Sequence, residues 1–257
     1  MQLKIEVAAA GSDLLGECPI WDERERALWW VDSRGPSVQR LDPASGAKTA
    51  LTLPETIGSI AFRERGGLLA ATRSGIHFLD FATARLDPAA RPEAHLPDNR
   101  FNDGRCDRAG RFWAGTMSDV KRTAVGSLYR LDATLACTPL RNGIVIPNSL
   151  AWSPGGRSMY FADTMRHVIW RYDYDPATGD ASSERVFADA APGRPDGSCV
   201  DADGCLWNAE YGASRLVRYT PTGKVDRSIA LPVSNPTCCC FAVRPGVQGL
   251  PESRFAG

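Results

Sequence analysis

The chain has no excess of charge of either sign: Lys and Arg together number 30 in 257 residues, and Asp and Glu number 30. That balance removes the long-range field that draws a protein to nucleic acid or to an anionic membrane surface, so neither is expected as a partner. No apolar run is long enough to span a bilayer. The first residues, MQLKIEVAAAGSD, lack the apolar centre of a signal peptide and read instead as a strand. The eight cysteines contain no C-x-x-C pair; three are adjacent at 238–240 and the others are scattered. A zinc ribbon or thioredoxin-type site is therefore not expected, and reduced thiols in a cytoplasmic protein are. His77, His95 and His167 show no metal-ligand spacing. There is no G-x-S-x-G elbow and no phosphate-binding loop. Asp42 and Asp175 open turns without calcium-loop spacing. No stretch carries a sustained helical period.

What is present is a repeat. Short apolar strands follow turns at ALWWVD (27–32), GLLAAT (67–72), RFWAGT (111–116), SMYFAD (158–163) and CLWNAE (205–210), at intervals of 39, 44, 47 and 47 residues. Each is preceded by another short strand: CPIWD (18–22), GSIAF (58–62), GRCD (104–107), SLAWS (149–153) and GSCVD (197–201), with TCCCF (237–241) as a sixth. Each is followed by a third, as in VQRLD (38–42), SLYRLD (127–132) and LVRYT (216–220), and then by tight turns such as DPASG and DPATG. Four-stranded units of this length predict an all-β, six-bladed propeller filling residues 1–257 as one domain. A β-helix is the second architecture, with repeats that are usually shorter. Only about 20 residues follow the sixth inner strand where a blade needs about 40. The last blade is thus expected to be short and to be closed by the N-terminal strand KIEVAAA (4–10).

Superposing the blades on their inner strands reveals a polar position. Glu17 lies five residues before Asp22, Asn102 five before Asp107, Asn148 five before Ser153, and Asp196 five before Asp201. Inner strands line a propeller's channel, so two carboxylates and two amides are expected to meet at one mouth of it. Two close carboxylates repel, and a hard divalent cation with oxygen ligands resolves this. The competing reading is that each residue caps a strand or bonds a turn.

The runs LGECPIWD, RFNDGRCDRAGRFWAGTM, PNSLAWSPGGRSMYFADT and PDGSCVDADGCLW, with the closing GLPESRFAG, resemble the SMP-30/gluconolactonase/luciferin-regenerating family, which includes regucalcin and bacterial sugar lactonases. The resemblance implies a six-bladed propeller with one divalent metal ion, Ca²⁺, Zn²⁺, Mn²⁺ or Mg²⁺, held by Glu17, Asn148 and Asp196. It implies Arg100 and Asn102 as substrate contacts, Asp103 as a neighbour of the site, and an acidic contact near Asp119 or Val120. The sequence departs from the family after PTCCCF, where about one strand and a hairpin are missing.

Two functions follow as expectations. One is hydrolysis of a sugar lactone to its aldonic acid, with Asp196 as metal ligand and general base. The other is a non-catalytic propeller that binds metal, a small ligand or a protein partner through its incomplete last blade.

Overall fold

The computed structural model describes residues 4–242 and 253–257. Twenty strands form five four-stranded antiparallel sheets, each a meander in chain order. The first sheet is β1 (Gly16–Asp22), β2 (Ala27–Asp32), β3 (Ser37–Leu41) and β4 (Lys48–Thr52). The second is β5 (Ile57–Phe62), β6 (Leu68–Thr72), β7 (Ile76–Asp80) and β8 (Arg85–Ala90). The third is β9 (Asn99–Cys106), β10 (Phe112–Ser118), β11 (Gly126–Leu131) and β12 (Cys137–Ile144). The fourth is β13 (Pro147–Trp152), β14 (Ser158–Asp163), β15 (Val168–Tyr174) and β16 (Ala181–Asp189). The fifth is β17 (Arg194–Val200), β18 (Leu206–Tyr211), β19 (Arg215–Tyr219) and β20 (Val225–Ala230). Thr164–Arg166 forms a single 3₁₀ turn. Among the described residues no helix is long and apolar enough to cross a membrane.

The turn chemistry repeats with the strands. Asp22, Asp107 and Asp201 each close an inner hairpin by accepting a backbone N–H two residues on, from Arg24 at 2.8 Å, Ala109 at 2.9 Å and Asp203 at 3.0 Å. Asp42, Asp80, Asp132 and Asp175 do the same at the outer turns. A short carboxylate that bonds its own turn selects the hairpin against longer loops.

The sheets stand as blades with their inner strands adjacent in the order β1, β5, β9, β13, β17. Each seam between consecutive blades has its own apolar core. Trp29 and Val31 meet Ile57 and Ile60 in the first seam. Phe101 and Phe112 meet Leu69 and Ile76 in the second. Trp113 packs with Trp152 and Tyr174 at ring distances of 6.2 and 6.0 Å in the third. Tyr160 and Ile169 meet Leu206 and Val217 in the fourth.

The expected sixth blade is not formed: the described residues make five. Residues 4–10 are not a strand and close no sheet, and residues 237–241 carry no ladder. The segment 231–242 instead threads the gap between the fifth and first blades. Gly197 N donates to the Thr237 carbonyl at 2.7 Å, and Thr237 Oγ1 donates to the Gly16 carbonyl at 2.5 Å. Thr237 thus bridges the inner strands β17 and β1, and Cys239 adds a contact to Cys199 of β17 at 3.5 Å. Beside this thread lies a cleft of about 430 Å³, lined by Pro19, Leu28, Trp30, Lys48, Thr237 and Cys238. The physical reason is length. A propeller blade needs about 40 residues, and too few lie between β20 and the docked Phe255 to bury a sheet of their own. Val243 and the first four residues of GLPESRFAG lie outside the described residues. The final ones dock elsewhere: Phe255 is fully buried between the second and third blades and its N–H donates to the Phe62 carbonyl at 2.8 Å.

Candidate functional site

Every inner strand has a break in its register near its entry: between Glu17 and Ile20, Ile57 and Ser59, Asn148 and Ala151, Pro195 and Ser198, and in β9 where β10 slips between Ala114 and Thr116. Cys18 and Ser149, which follow Glu17 and Asn148, take left-handed backbone angles of φ 49° and 62°. Such bulges re-aim side chains. Here they recur at the repeat position that carries Glu17, Asn102, Asn148 and Asp196. In the second blade the position is Gly58, where a Cβ would lie 2.3 Å from the Asn102 carbonyl oxygen. A side chain is excluded there because the neighbouring strand comes too close.

The polar positions are locked together. Asn102 Nδ2 donates to Asn148 Oδ1 at 3.2 Å and to the Pro147 carbonyl at 3.0 Å. Asn148 Nδ2 donates to Thr164 Oγ1 at 2.7 Å, and that hydroxyl donates to the Pro195 carbonyl at 2.7 Å, one residue before Asp196. Arg100 Nη1 donates to Asn102 Oδ1 at 2.9 Å, and Arg100 Nε donates to Asp119 Oδ1 at 2.9 Å. Asp119, of which the sequence gave only a weak indication, is thus tied to the site through Arg100; Val120 is exposed and takes no part.

Two aspartates set the loops that lead into Asn148 and Glu17. Asp163 accepts the N–H groups of Val145 at 2.9 Å and Ile146 at 3.1 Å, just before Pro147 and Asn148. Asp32 accepts those of Leu14 at 2.9 Å and Leu15 at 3.0 Å, just before Gly16 and Glu17. The sequence analysis missed both roles. The available signal was their shared place at the end of the second strand of a blade.

The carboxylates are electrostatically strained. Burial, then the negative charge of Asp103, pushes Glu17 up to about 8, although one side of it is partly open. Burial, then Glu17 and Asp103, raises Asp196 well above the usual carboxylate range. Asp103 is also raised by burial, with Arg105 opposing. Asp196 Oδ1 is buried with no hydrogen-bond partner. Such an oxygen costs free energy until a cation or donor meets it. Among the described residues no three Asp, Glu, His or Cys side chains form a metal cluster. The set here is two carboxylates, Glu17 and Asp196, with the Asn148 amide oxygen. An all-oxygen set with an orphaned carboxylate fits a hard divalent ion. The thiols beside it are kept neutral: burial pushes Cys18 up to about 12 and also raises Cys238 well above the ordinary thiol range.

The wider resemblance is specific. Residues 15–247 match the family described as SMP-30/Gluconolactonase/LRE-like region. The chain is 40% identical to a 6-deoxy-6-sulfogluconolactonase of Pseudomonas putida over 95% of this chain and 96% of the relative. That alignment spans 278 positions against 257 residues here, so at least 21 positions of the relative have no counterpart in this chain. It is 36% identical to the regucalcin of Xenopus laevis over 93% of this chain and 83% of the relative. The crystal structure of a calcium-binding regucalcin from Agrobacterium tumefaciens superposes with a TM-score of 0.86 at 35% identity, over 90% of this chain and 79% of that one. The chain belongs to the SMP-30/gluconolactonase/LRE-like family, in a five-bladed form among its described residues.

Proposed function

We propose that this protein is a lactonase that opens sugar aldonolactones to their aldonic acids with the help of one divalent metal ion. The observation that carries the reading is Asp196 Oδ1, buried and unpartnered beside a second raised carboxylate at the mouth of the channel. The relative named as a sulfogluconolactonase supports the reaction class, and the regucalcin described as calcium-binding supports the cation. Ca²⁺, Zn²⁺, Mn²⁺ or Mg²⁺ at Glu17, Asn148 and Asp196 would supply positive charge that polarises the lactone carbonyl.

The chain's own residues do the rest. Asp196 accepts the proton of the attacking water as general base. Arg100 keeps Nη2 free of the hydrogen bonds that hold Nε and Nη1, and directs it to a sugar hydroxyl. Asn102 contacts the sugar on the same side and holds Asn148 through its amide. Together they fix the ring over the reacting carbonyl. No disulfide forms among the described cysteines, which suits a reducing, cytoplasmic setting.

The test is ring opening of glucono-, galactono-, arabinono- and xylonolactone, each with the four metals added in turn to folded, metal-stripped protein. Rates equal to the uncatalysed ones in every pairing would overturn the proposal. The cleft between the first blade, the N-terminal segment and the thread favours a second reading, a propeller that binds a partner there. Light scattering separates the two: a strict monomer with lactonase activity rejects the second.

A further inference from the structure

At the same mouth of the channel, loops from three blades bring cations around a single carboxylate. Arg34, between β2 and β3, forks onto Asp119 with Nη2 to Oδ1 at 2.9 Å and Nη1 to Oδ2 at 3.2 Å. Arg100 of β9 adds the bond from Nε. Arg73, between β6 and β7, stands with Nη1 4.0 Å from Asp119 Oδ2 and donates Nη2 to the Pro97 carbonyl at 3.2 Å. Arg122, exposed on the loop between β10 and β11 three residues after Asp119, forms no ion pair among the described residues. Three guanidinium groups, those of Arg34, Arg73 and Arg100, therefore face one carboxylate, and Arg122 sits on the same loop as Asp119.

The nearby acids do not cancel the excess. Glu55 is held by Ser74 N–H at 2.8 Å, by the Ser74 hydroxyl at 2.6 Å and by the Thr72 hydroxyl at 3.1 Å. Asp98 meets Asp119 only through its backbone carbonyl. Nor does the composition require the excess, because the chain as a whole is neutral. The side chains of Arg34 and Arg73 are 36% and 43% exposed, so a solute in the mouth can reach them. Arg100 ties the cluster to Asn102 and through it to Asn148.

We infer that the Arg34, Arg73 and Arg122 rim recognises a terminal oxyanion on the substrate, so that the preferred lactone carries a sulfonate, phosphate or carboxylate at the carbon farthest from its carbonyl. Guanidinium forks bind such groups through paired, charge-assisted hydrogen bonds. This inference rests on the lactonase reading for the reaction and on the rim alone for the charge.

The experiment compares kcat/KM for a neutral hexonolactone with its forms bearing a terminal sulfonate, phosphate or carboxylate. It uses the metal-loaded wild type and an Arg73→Gln/Arg122→Gln double variant whose folding is checked by Tm. The expected result is an advantage of about tenfold or more for at least one charged form. That advantage shrinks with added salt and falls toward one in the variant. The three charged forms show which oxyanion the rim fits. Equal rates for neutral and charged lactones, or an advantage that survives in the variant, would overturn the inference. If no lactone is opened, the lactonase reading fails and the rim is judged by calorimetry with the ring-opened acids. Tighter binding of a charged acid by wild type alone upholds the inference, and equal binding rejects it.

Discussion

Thr164 Oγ1 accepts from Asn148 Nδ2 at 2.7 Å, while the same hydroxyl donates to the carbonyl of Pro195. With the amide nitrogen held this way, Asn148 Oδ1 is directed to the side of Asn102 and the carboxylates. Replacing the hydroxyl by a methyl leaves both groups buried without partners. Thr164→Val should weaken metal binding by about tenfold, the usual cost of losing a residue that orients a ligand. Calorimetric titration with Ca²⁺ and Mn²⁺ checks this, and an unchanged Kd would remove Thr164 from the site.

Asp163 acts one step further back. It takes the N–H groups of Val145, Ile146 and Met165, and its own side chain is almost wholly buried. Asp163→Ala strands those donors and should cost about 2 kcal/mol or more. Urea unfolding at fixed metal gives the value. A loss below half that figure would show that water replaces the carboxylate.

Asp196→Asn keeps the shape and removes the charge. If Asp196 both ligates the metal and accepts the proton, kcat should fall by about a hundredfold or more at saturating metal, with Tm unchanged or raised because a buried like-charge contact is lost. A variant with near wild-type kcat would reduce Asp196 to an anchor. Arg100→Ala, in contrast, is expected to raise KM and also to lower stability, since it strips Asp119 of a buried partner.

Metal removal should be felt differently at different pH. Glu17 is raised from its ordinary value of 4.5 to about 8. A raised carboxylate contributes stability below its unfolded value and loses it as pH climbs through the folded one. The metal-stripped protein should therefore lose stability between about pH 5 and pH 8. Metal displaces that proton, so affinity should rise across the same interval and then level off. Melting curves with chelator and with metal at pH 5.5, 7 and 8.5 test it. Two parallel curves would mean that Glu17 is already ionised without metal.

The thread that closes the ring has its own test. A Cβ on Gly197 would lie 2.2 Å from Cys238 Sγ and 2.9 Å from its Cα, so the segment itself must move. Gly197→Ala should cost about 1–3 kcal/mol and make Cys238 react faster with a thiol reagent. Unchanged labelling would show that the thread does not depend on this contact.

The first three strands of each blade were legible because they are short apolar runs between turn residues, buried at every position in β5, β6 and β10. The outer strands were not readable one by one. β4 and β20 are exposed at nearly every residue, so no burial pattern marks them and only their pairing makes them strands. TCCCF had the composition of an inner strand, but a strand needs a sheet to pair with, and the residues for that sheet are missing.

By itself the sequence determined the repeat, its phase, and hence which polar residues share a position: Glu17, Asn102, Asn148 and Asp196 follow from counting back along inner strands whose lengths are nearly equal. Only the tertiary structure decided that the described residues form five blades and a thread, because closure depends on whether the segment between β20 and the docked Phe255 is long enough to bury a sixth face. It also decided the gathering of Arg34 and Arg73 on Asp119. Those residues come from loops of three blades with no common spacing, and charges on exposed loops follow no period a sequence can display.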